Sequence, residues 1–212
     1  MGGGFVSKEK LTCATTGGPK YFIRGFIKDW ITGGSFPGYK SIFDYLHMID
    51  VKLIITLTIE PIKIGRNINH VPHEHKRTEW INSDLTEEDL TKFTIVHIPI
   101  SDTHGPTPEN VDLLMDVISK FRDQYPTGKA YIHCWQGRGR TNTIIMYLLM
   151  QLYGETYDDA YSEIRNHYDN IKISNIQMKF LKGESLSVNE IIDSQPIVKT
   201  PSDHACYNKD DI

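Results

Sequence analysis

Short, wholly apolar runs alternate along this chain with longer stretches in which apolar residues recur every third or fourth position. Residues 51–57 and 129–133 read as buried strands, 93–100 as a further core strand, and 21–27 as an edge strand. Helical spacing puts Ile42, Leu46 and Ile49 on one face of residues 41–50. It likewise aligns Val111, Leu114, Met115, Ile118 and Phe121 in a helix that Thr107 caps and Pro108 opens. Ile144, Ile145, Leu148, Leu149 and Leu152 make residues 143–153 a strongly apolar helix. Thr156 opens another to about residue 168, and Ser174 with Gln177 forms a capping-box pattern before a last helix that Gly183 stops. Strands alternating with helices predict an α/β domain: a central mixed, mostly parallel sheet flanked by helices, with its site where loops gather at the strand ends.

The pattern fades at both ends and in the middle. Residues 1–19, rich in Gly and Thr, read as a mobile leader, 20–193 as one domain, and 194–212, with Pro196 and Pro201, as a tail. Between residues 59 and 92 only Thr86 with Asp89 signals a short capped helix, so this stretch is the expected insertion. A length of 212 residues, 39% of them hydrophobic, suits a single domain with a substantial core.

Composition removes several function classes. A net charge of −4 argues against general nucleic-acid binding, which needs a basic patch or stripe. Three scattered cysteines, Cys13, Cys134 and Cys206, make no disulfide framework and point to a reducing compartment. No apolar run approaches a membrane span and no secretory h-region opens the chain, so a cytoplasmic location is expected. Gly2 opens a myristoylation-like start, but Val6 stands where that pattern wants Ser or Thr, and a flexible glycine leader is the preferred reading. His70, His73 and His75 with Glu74 lack the paired spacing of structural zinc sites and read as a solvated loop, so no metal is expected.

The chemistry concentrates in His133-Cys134-Trp135-Gln136-Gly137-Arg138-Gly139-Arg140-Thr141, which joins the strand at 129–133 to the apolar helix. A loop wrapped onto a helix N-terminus aims unpaired N–H groups and the positive end of the helix dipole at one spot, and an oxyanion fits there. Gly137 and Gly139 permit the backbone angles of such a cradle, and Arg140 offers a planar fork for two phosphate oxygens. The same field favours the thiolate of Cys134. Thiolate and phosphate cradle together imply in-line attack on phosphorus and a cysteinyl-phosphate intermediate. The leaving oxygen needs a proton, and Asp102 stands 32 positions before Cys134, in the loop Asp102-Thr103-His104-Gly105-Pro106-Thr107-Pro108. Asp84 and Asp89 are the alternatives, each needing a long loop to fold back.

These residues resemble the His-Cys-x5-Arg-Ser/Thr signature of the cysteine-dependent protein tyrosine phosphatases, in the form of a small, atypical dual-specificity phosphatase. The resemblance runs from about residue 21 to about 181 and takes in Asp-x-x-x-Pro-x-Pro at 102–108, the upstream run at 53–61, and Gln177-x-x-Phe180-Leu181. It implies Cys134 as nucleophile, Arg140 as phosphate clamp, Asp102 as general acid and then base, and Thr141 as hydrogen-bond donor to the sulfur. It also implies His133 as the residue that fixes the loop and keeps the thiol ionised, and a phosphate held by residues 135–140: Trp135, Gln136, Gly137, Arg138, Gly139 and Arg140. The family chemistry uses no metal or cofactor. One departure is Asn142, where many relatives have Gly. Gln177 is explained by its capping box, with ordering of water as the rival role. Tyr39, Trp80 and Trp135 could shape the pocket rim.

A loop with Arg138 as its one extra cation leans toward phosphoproteins, carrying phosphotyrosine and phosphoserine or phosphothreonine, rather than toward phosphoinositides or RNA 5′ ends. A catalytically silent phosphopeptide-binding module is the rival from outside the enzymes. Oligomeric state is left open by the sequence.

Overall fold

The computed structural model describes residues 11–13, 21–23, 25–38, 40–59, 86–168 and 170–186. Its strands are β1 (Leu11–Cys13), β2 (Tyr21–Ile23), β3 (Ile31–Gly34), β4 (Val51–Thr56), β5 (Thr94–His97) and β6 (Lys129–His133). The helices are α1 (Lys40–Met48), α2 (Glu87–Leu90), α3 (Pro108–Gln124), α4 (Arg140–Tyr153), α5 (Tyr157–His167) and α6 (Asn175–Lys182). They build one six-stranded sheet in the order β1-β2-β3-β6-β4-β5. β3, β6, β4 and β5 run parallel, while β1 and β2 add an antiparallel edge, so the sheet is mixed and mostly parallel as expected.

β6 lies between β3 and β4, and Ala130, Tyr131, Ile132 and His133 are fully buried. Strand order therefore places the segment that follows His133 centrally, at the carboxyl ends of the parallel strands. One core layer joins the sheet to α3, α4 and α5 through Leu53, Ile55, Leu114, Ile118, Ile144, Ile145, Leu148, Leu149 and Ile164. The other face packs Ile42, Phe43 and Leu46 of α1 against Val51, Ile54 and Tyr131.

The helix caps follow the sequence. Thr107, Thr156 and Ser174 each accept the N–H three residues on, and Gly154 and Gly183 end α4 and α6 in left-handed conformation. The Thr86 hydroxyl likewise accepts the Asp89 N–H ahead of α2.

Three expectations change. Leu11–Cys13, assigned to the leader, pairs with β2, so the sheet begins before residue 20. The strand expected over 93–100 is only four residues long and half exposed, because β5 is the sheet's outer strand rather than a core one. β3 was not anticipated, and residues 25–27, expected to belong to the edge strand, instead lead into a turn at Lys28 and Asp29, both at positive φ. The tail at 194–212, and with it Cys206, lies outside the described residues, as do His70, His73, His75, Trp80 and Asp84. Among the described residues no group of His, Cys, Asp and Glu is arranged to hold a metal, and no helix is long and apolar enough to cross a membrane.

Candidate active site

Residues 134–139 leave β6 and curl onto the N-terminus of α4, which starts at Arg140. Gly139 is its N-cap and supplies no side-chain hydrogen bond, so no capping side chain occupies the mouth of the helix. Gly137 takes φ +69°, and its N–H donates to Cys134 Sγ at 3.2 Å. Gly139 is required for space: a Cβ there would stand 3.0 Å from the Lys172 carbonyl oxygen and 3.2 Å from Gln177 Oε1. Asn142, the departure from the family pattern, is fully buried, and its amide donates to the Arg138 carbonyl. The same carbonyl accepts from Lys172 N at 3.0 Å. The asparagine thus ties the loop to the first turn of its own helix.

Arg140 is the joint of the site. Although 93% buried (7% exposed), its guanidinium donates from Nη1 to the carbonyls of Ile100 at 2.9 Å and Leu57 at 3.3 Å. Nη2 lies 3.3 Å from Asp102 Oδ1. Nε has no partner among the described residues, and neither does the hydroxyl of Thr141, itself fully buried. The expected hydrogen bond from Thr141 to Cys134 Sγ is therefore not formed here. Buried donors seldom go unpaired, so a fixed guanidinium with a spare Nε marks the place as suited to an acceptor-rich anion.

Asp102 extends from the loop after Ile100 with an 81% exposed side chain, close enough to Arg140 to share the site. Asp89 is excluded from the acid role. The Thr86 backbone N–H, then Lys92 and the Thr86 hydroxyl, hold its carboxyl well below the usual range, with Lys40 adding to the cluster.

His133 is fully buried, stacked on Tyr131 and edge-on to Phe36. Nδ1 lies 3.3 Å from the Cys134 carbonyl and Nε2 lies 3.0 Å from Thr56 Oγ1. A carbonyl only accepts, so the proton sits on Nδ1 and Thr56 donates to Nε2. Burial drives its pKa down from 6.5 to about 3, with the Arg140 charge pushing the same way. The ring is neutral and shapes the start of the loop through the Cys134 backbone. It has no charge to lend the sulfur, which departs from the expected role in ionisation.

The linkage has a definite sign. A base whose folded pKa is depressed gives the native state stability above pH 6.5, lost as pH falls toward 3. The loss accrues at no more than ~1.4 kcal/mol per pH unit. Urea unfolding of wild type and His133→Asn between pH 7 and 4.5 checks it: the variant should be less stable but clearly flatter with pH. Parallel slopes would contradict a buried neutral imidazole.

The remaining loop residues divide. Trp135 packs its ring on Phe36, centroids 5.5 Å apart, and its carbonyl accepts from Phe36 N at 3.0 Å, so it braces the loop from below. Gln136 is exposed and Arg138 half-buried, its Nε without a partner among the described residues. Tyr39, the other proposed rim residue, lies outside the described residues. Gln177 is buried with its amide committed to backbone: Oε1 accepts from Ser174 N and Nε2 donates to the His104 carbonyl, both at 3.0 Å. It links α6 to the loop that carries Asp102. Sequence reasoning missed this link; the capping-box motif was its only trace. Cys13, in β1, is three strands from β6, about 14 Å at ordinary strand spacing and beyond the ~7 Å limit for a disulfide to Cys134.

Comparison with known proteins agrees with this geometry. Residues 22–180 match the family model described as PTP-SAK, a Swiss Army Knife protein DSP-PTPase phosphatase domain. The protein-tyrosine-phosphatase MKP1 of Arabidopsis thaliana is 29% identical over 63 residues, a match that spans 29% of this chain and 8% of that protein's length. PTPMT1 in complex with PI(5)P superposes with a TM-score of 0.59 at 20% identity, covering 76% of this chain and 92% of that one. Kinase associated phosphatase, with serine substituted for its catalytic cysteine, gives 0.54 at 17% identity, covering 71% and 83%. At these identities the two structures speak for the fold.

Proposed function

The chain belongs to the DSP-PTPase phosphatase domain family, and from that premise we propose that it hydrolyses phosphate monoesters on proteins through a cysteinyl-phosphate intermediate. The observation that carries the reading is the buried Arg140 guanidinium, fixed by two carbonyls with Nε left to spare and Asp102 beside it.

In the first step the Cys134 thiolate attacks phosphorus in line, the P–O bond to the substrate breaks, and Asp102 gives its proton to the departing oxygen. Arg140 and the loop N–H groups hold the equatorial oxygens as charge shifts. In the second step Asp102, now a carboxylate, takes a proton from water as that water attacks phosphorus. The P–S bond breaks, releasing inorganic phosphate and restoring the thiolate. Thr141 donates its buried hydroxyl to the sulfur as charge returns there. His133, Trp135 and Gly137 hold the loop in shape, and the backbone of residues 135–140 lines the phosphate. The route calls for no metal or cofactor.

Phosphotyrosine and phosphoserine or phosphothreonine in proteins are the proposed substrates, since Arg138 is the only loop cation besides the clamp. A cytoplasmic location goes with the proposal, because the nucleophile must stay reduced. Turnover measured side by side on phosphotyrosine peptides, inositol lipids and triphosphorylated RNA tests the substrate class, and negligible peptide activity beside rapid lipid or RNA cleavage overturns it. Asp102→Ala is expected to slow release of poor leaving groups by ~10²–10⁴-fold while sparing good ones. Equal rates for wild type and variant on phenyl phosphate would remove Asp102 from the mechanism. A silent binding module would show no turnover in either protein.

A further inference from the structure

Asp102 is the group of the site least held by its own side chain. Its carboxyl is mostly exposed and meets only Arg140 among the described residues, at 3.3 Å. Where it stands beside Arg140 therefore depends on the backbone of residues 101–104. That backbone is not relaxed: Thr103 takes φ +64°, a conformation unusual for a β-branched residue and one that persists only when its surroundings impose it. Within the loop, His104 N donates to the Ser101 carbonyl at 3.1 Å and His104 Nδ1 lies 2.7 Å from the Asp102 carbonyl.

The outside constraint comes from α6. Ser174 and Gln177 cap this helix with acceptors: Ser174 Oγ takes the Gln177 N–H at 3.1 Å, and Gln177 Oε1 takes the Ser174 N–H at 3.0 Å. Capping needs nothing more, and Asp with Glu would provide it equally well. Each side chain here carries a donor surplus to that task, and both surplus donors go to successive carbonyls of the acid loop. The Ser174 hydroxyl donates to Thr103, and Gln177 Nε2 donates to His104 at 3.0 Å. Phe180, one turn further along α6, closes over Gly105, where a Cβ would stand 2.9 Å from its own. Gln177 also abuts Gly139 in the nucleophile's loop. One helix end thus touches both the loop bearing the acid and the loop bearing the nucleophile.

We propose that Ser174 and Gln177 are positioning residues for proton transfer, clamping the Thr103 and His104 carbonyls so that Asp102 meets the leaving oxygen. The inference rests on Asp102 being the general acid. It adds that the acid's placement is set from α6, by two donors with no other purpose in the helix cap.

The test compares aryl phosphates of good and poor leaving ability, p-nitrophenyl and phenyl phosphate, in wild type, Ser174→Gly, Gln177→Met and Asp102→Ala. Glycine keeps most of the N-cap preference while deleting the donor, and Ser174 does not touch Gly139, so Ser174→Gly is the cleaner probe. Ser174→Gly should lose roughly tenfold or more in kcat on phenyl phosphate and less than about threefold on p-nitrophenyl phosphate. Gln177→Met should show the same bias, and Ser174→Thr should restore the rate. Combined with Asp102→Ala, Ser174→Gly should add no further loss, since it acts through that carboxyl. Equal losses on both esters, or full additivity with Asp102→Ala, overturns the clamp while leaving Asp102 in place. An Asp102→Ala enzyme that does not discriminate between the esters overturns the acid assignment and the clamp together.

Discussion

Cys134→Ser is expected to lower turnover by more than ~10⁴-fold while leaving phosphate binding in place. Cys134 is 3% exposed, with the Gly137 N–H directed at its sulfur, so attack comes from a fixed atom whose surroundings were folded before substrate arrives. A serine hydroxyl fits the same space and accepts the same N–H, but it carries no negative charge near neutral pH, and Asp102 is committed as the acid in that step. His133 is neutral, with its ring nitrogens engaged by Thr56 and the Cys134 carbonyl, and cannot serve as the base. Binding should survive because the serine hydroxyl can accept the Gly137 N–H in the sulfur's stead, Arg140 stays anchored on Leu57 and Ile100, and the N-terminus of α4 keeps its direction. Steady-state rates on p-nitrophenyl phosphate, with calorimetric titration of the variant by inorganic phosphate, read the two effects separately. A serine variant with substantial turnover would show that another atom attacks phosphorus, and one that no longer binds phosphate would place Cys134 among the structural supports of the loop.

How much of this was legible in the chain depends on the distance over which each feature is encoded. The loop at 133–141, the caps at Thr107, Thr156 and Ser174, and the buried strands β4 and β6 are local patterns, and the residues alone announce them. β3 was invisible because Gly33 and Gly34 give a strand reader nothing. Their value is tertiary: a Cβ on Gly33 would stand 2.6 Å from Ile145 Cδ1 and 2.8 Å from Thr141 Cγ2, so the bare backbone lets α4 settle against the sheet. β1 is three residues long, too short for alternation to register, whereas β2 was read from the sequence but drawn past its end at Ile23. The neutrality of His133 could not be read either, since it arises from Tyr131, Phe36 and Thr56 closing around the ring. Gln177 was legible as a cap and illegible as a tether, because its second partner lies 73 positions away in sequence.

Arg140→Lys keeps the charge of the clamp and is nevertheless expected to cost ~10³-fold in kcat/KM, most of it in kcat. If charge alone held the phosphate, a lysine would serve within about tenfold. The guanidinium does two things a lysine cannot combine. Nη1 is spent on the carbonyls of Leu57 and Ile100, joining the ends of β4 and the segment after β5 to the nucleophile's loop. Nε and Nη2, held in the same plane, remain to meet two oxygens of the transferring group, with Asp102 on the Nη2 side. An ammonium gathers its donors at one point. If it reaches the carbonyls it leaves the phosphate, and if it reaches the phosphate it strands buried carbonyls at about 1–3 kcal/mol each. Because the planar pair of donors matches the trigonal array of oxygens reached at the transition state, loss of that match falls on kcat more than on KM. Steady-state kinetics with p-nitrophenyl phosphate and thermal unfolding of the same preparation decide the matter: the variant should unfold several degrees lower as well as turn over slowly. A lysine enzyme within tenfold of wild type, at unchanged stability, would mean that the site needs positive charge at residue 140 and not the geometry that carries it.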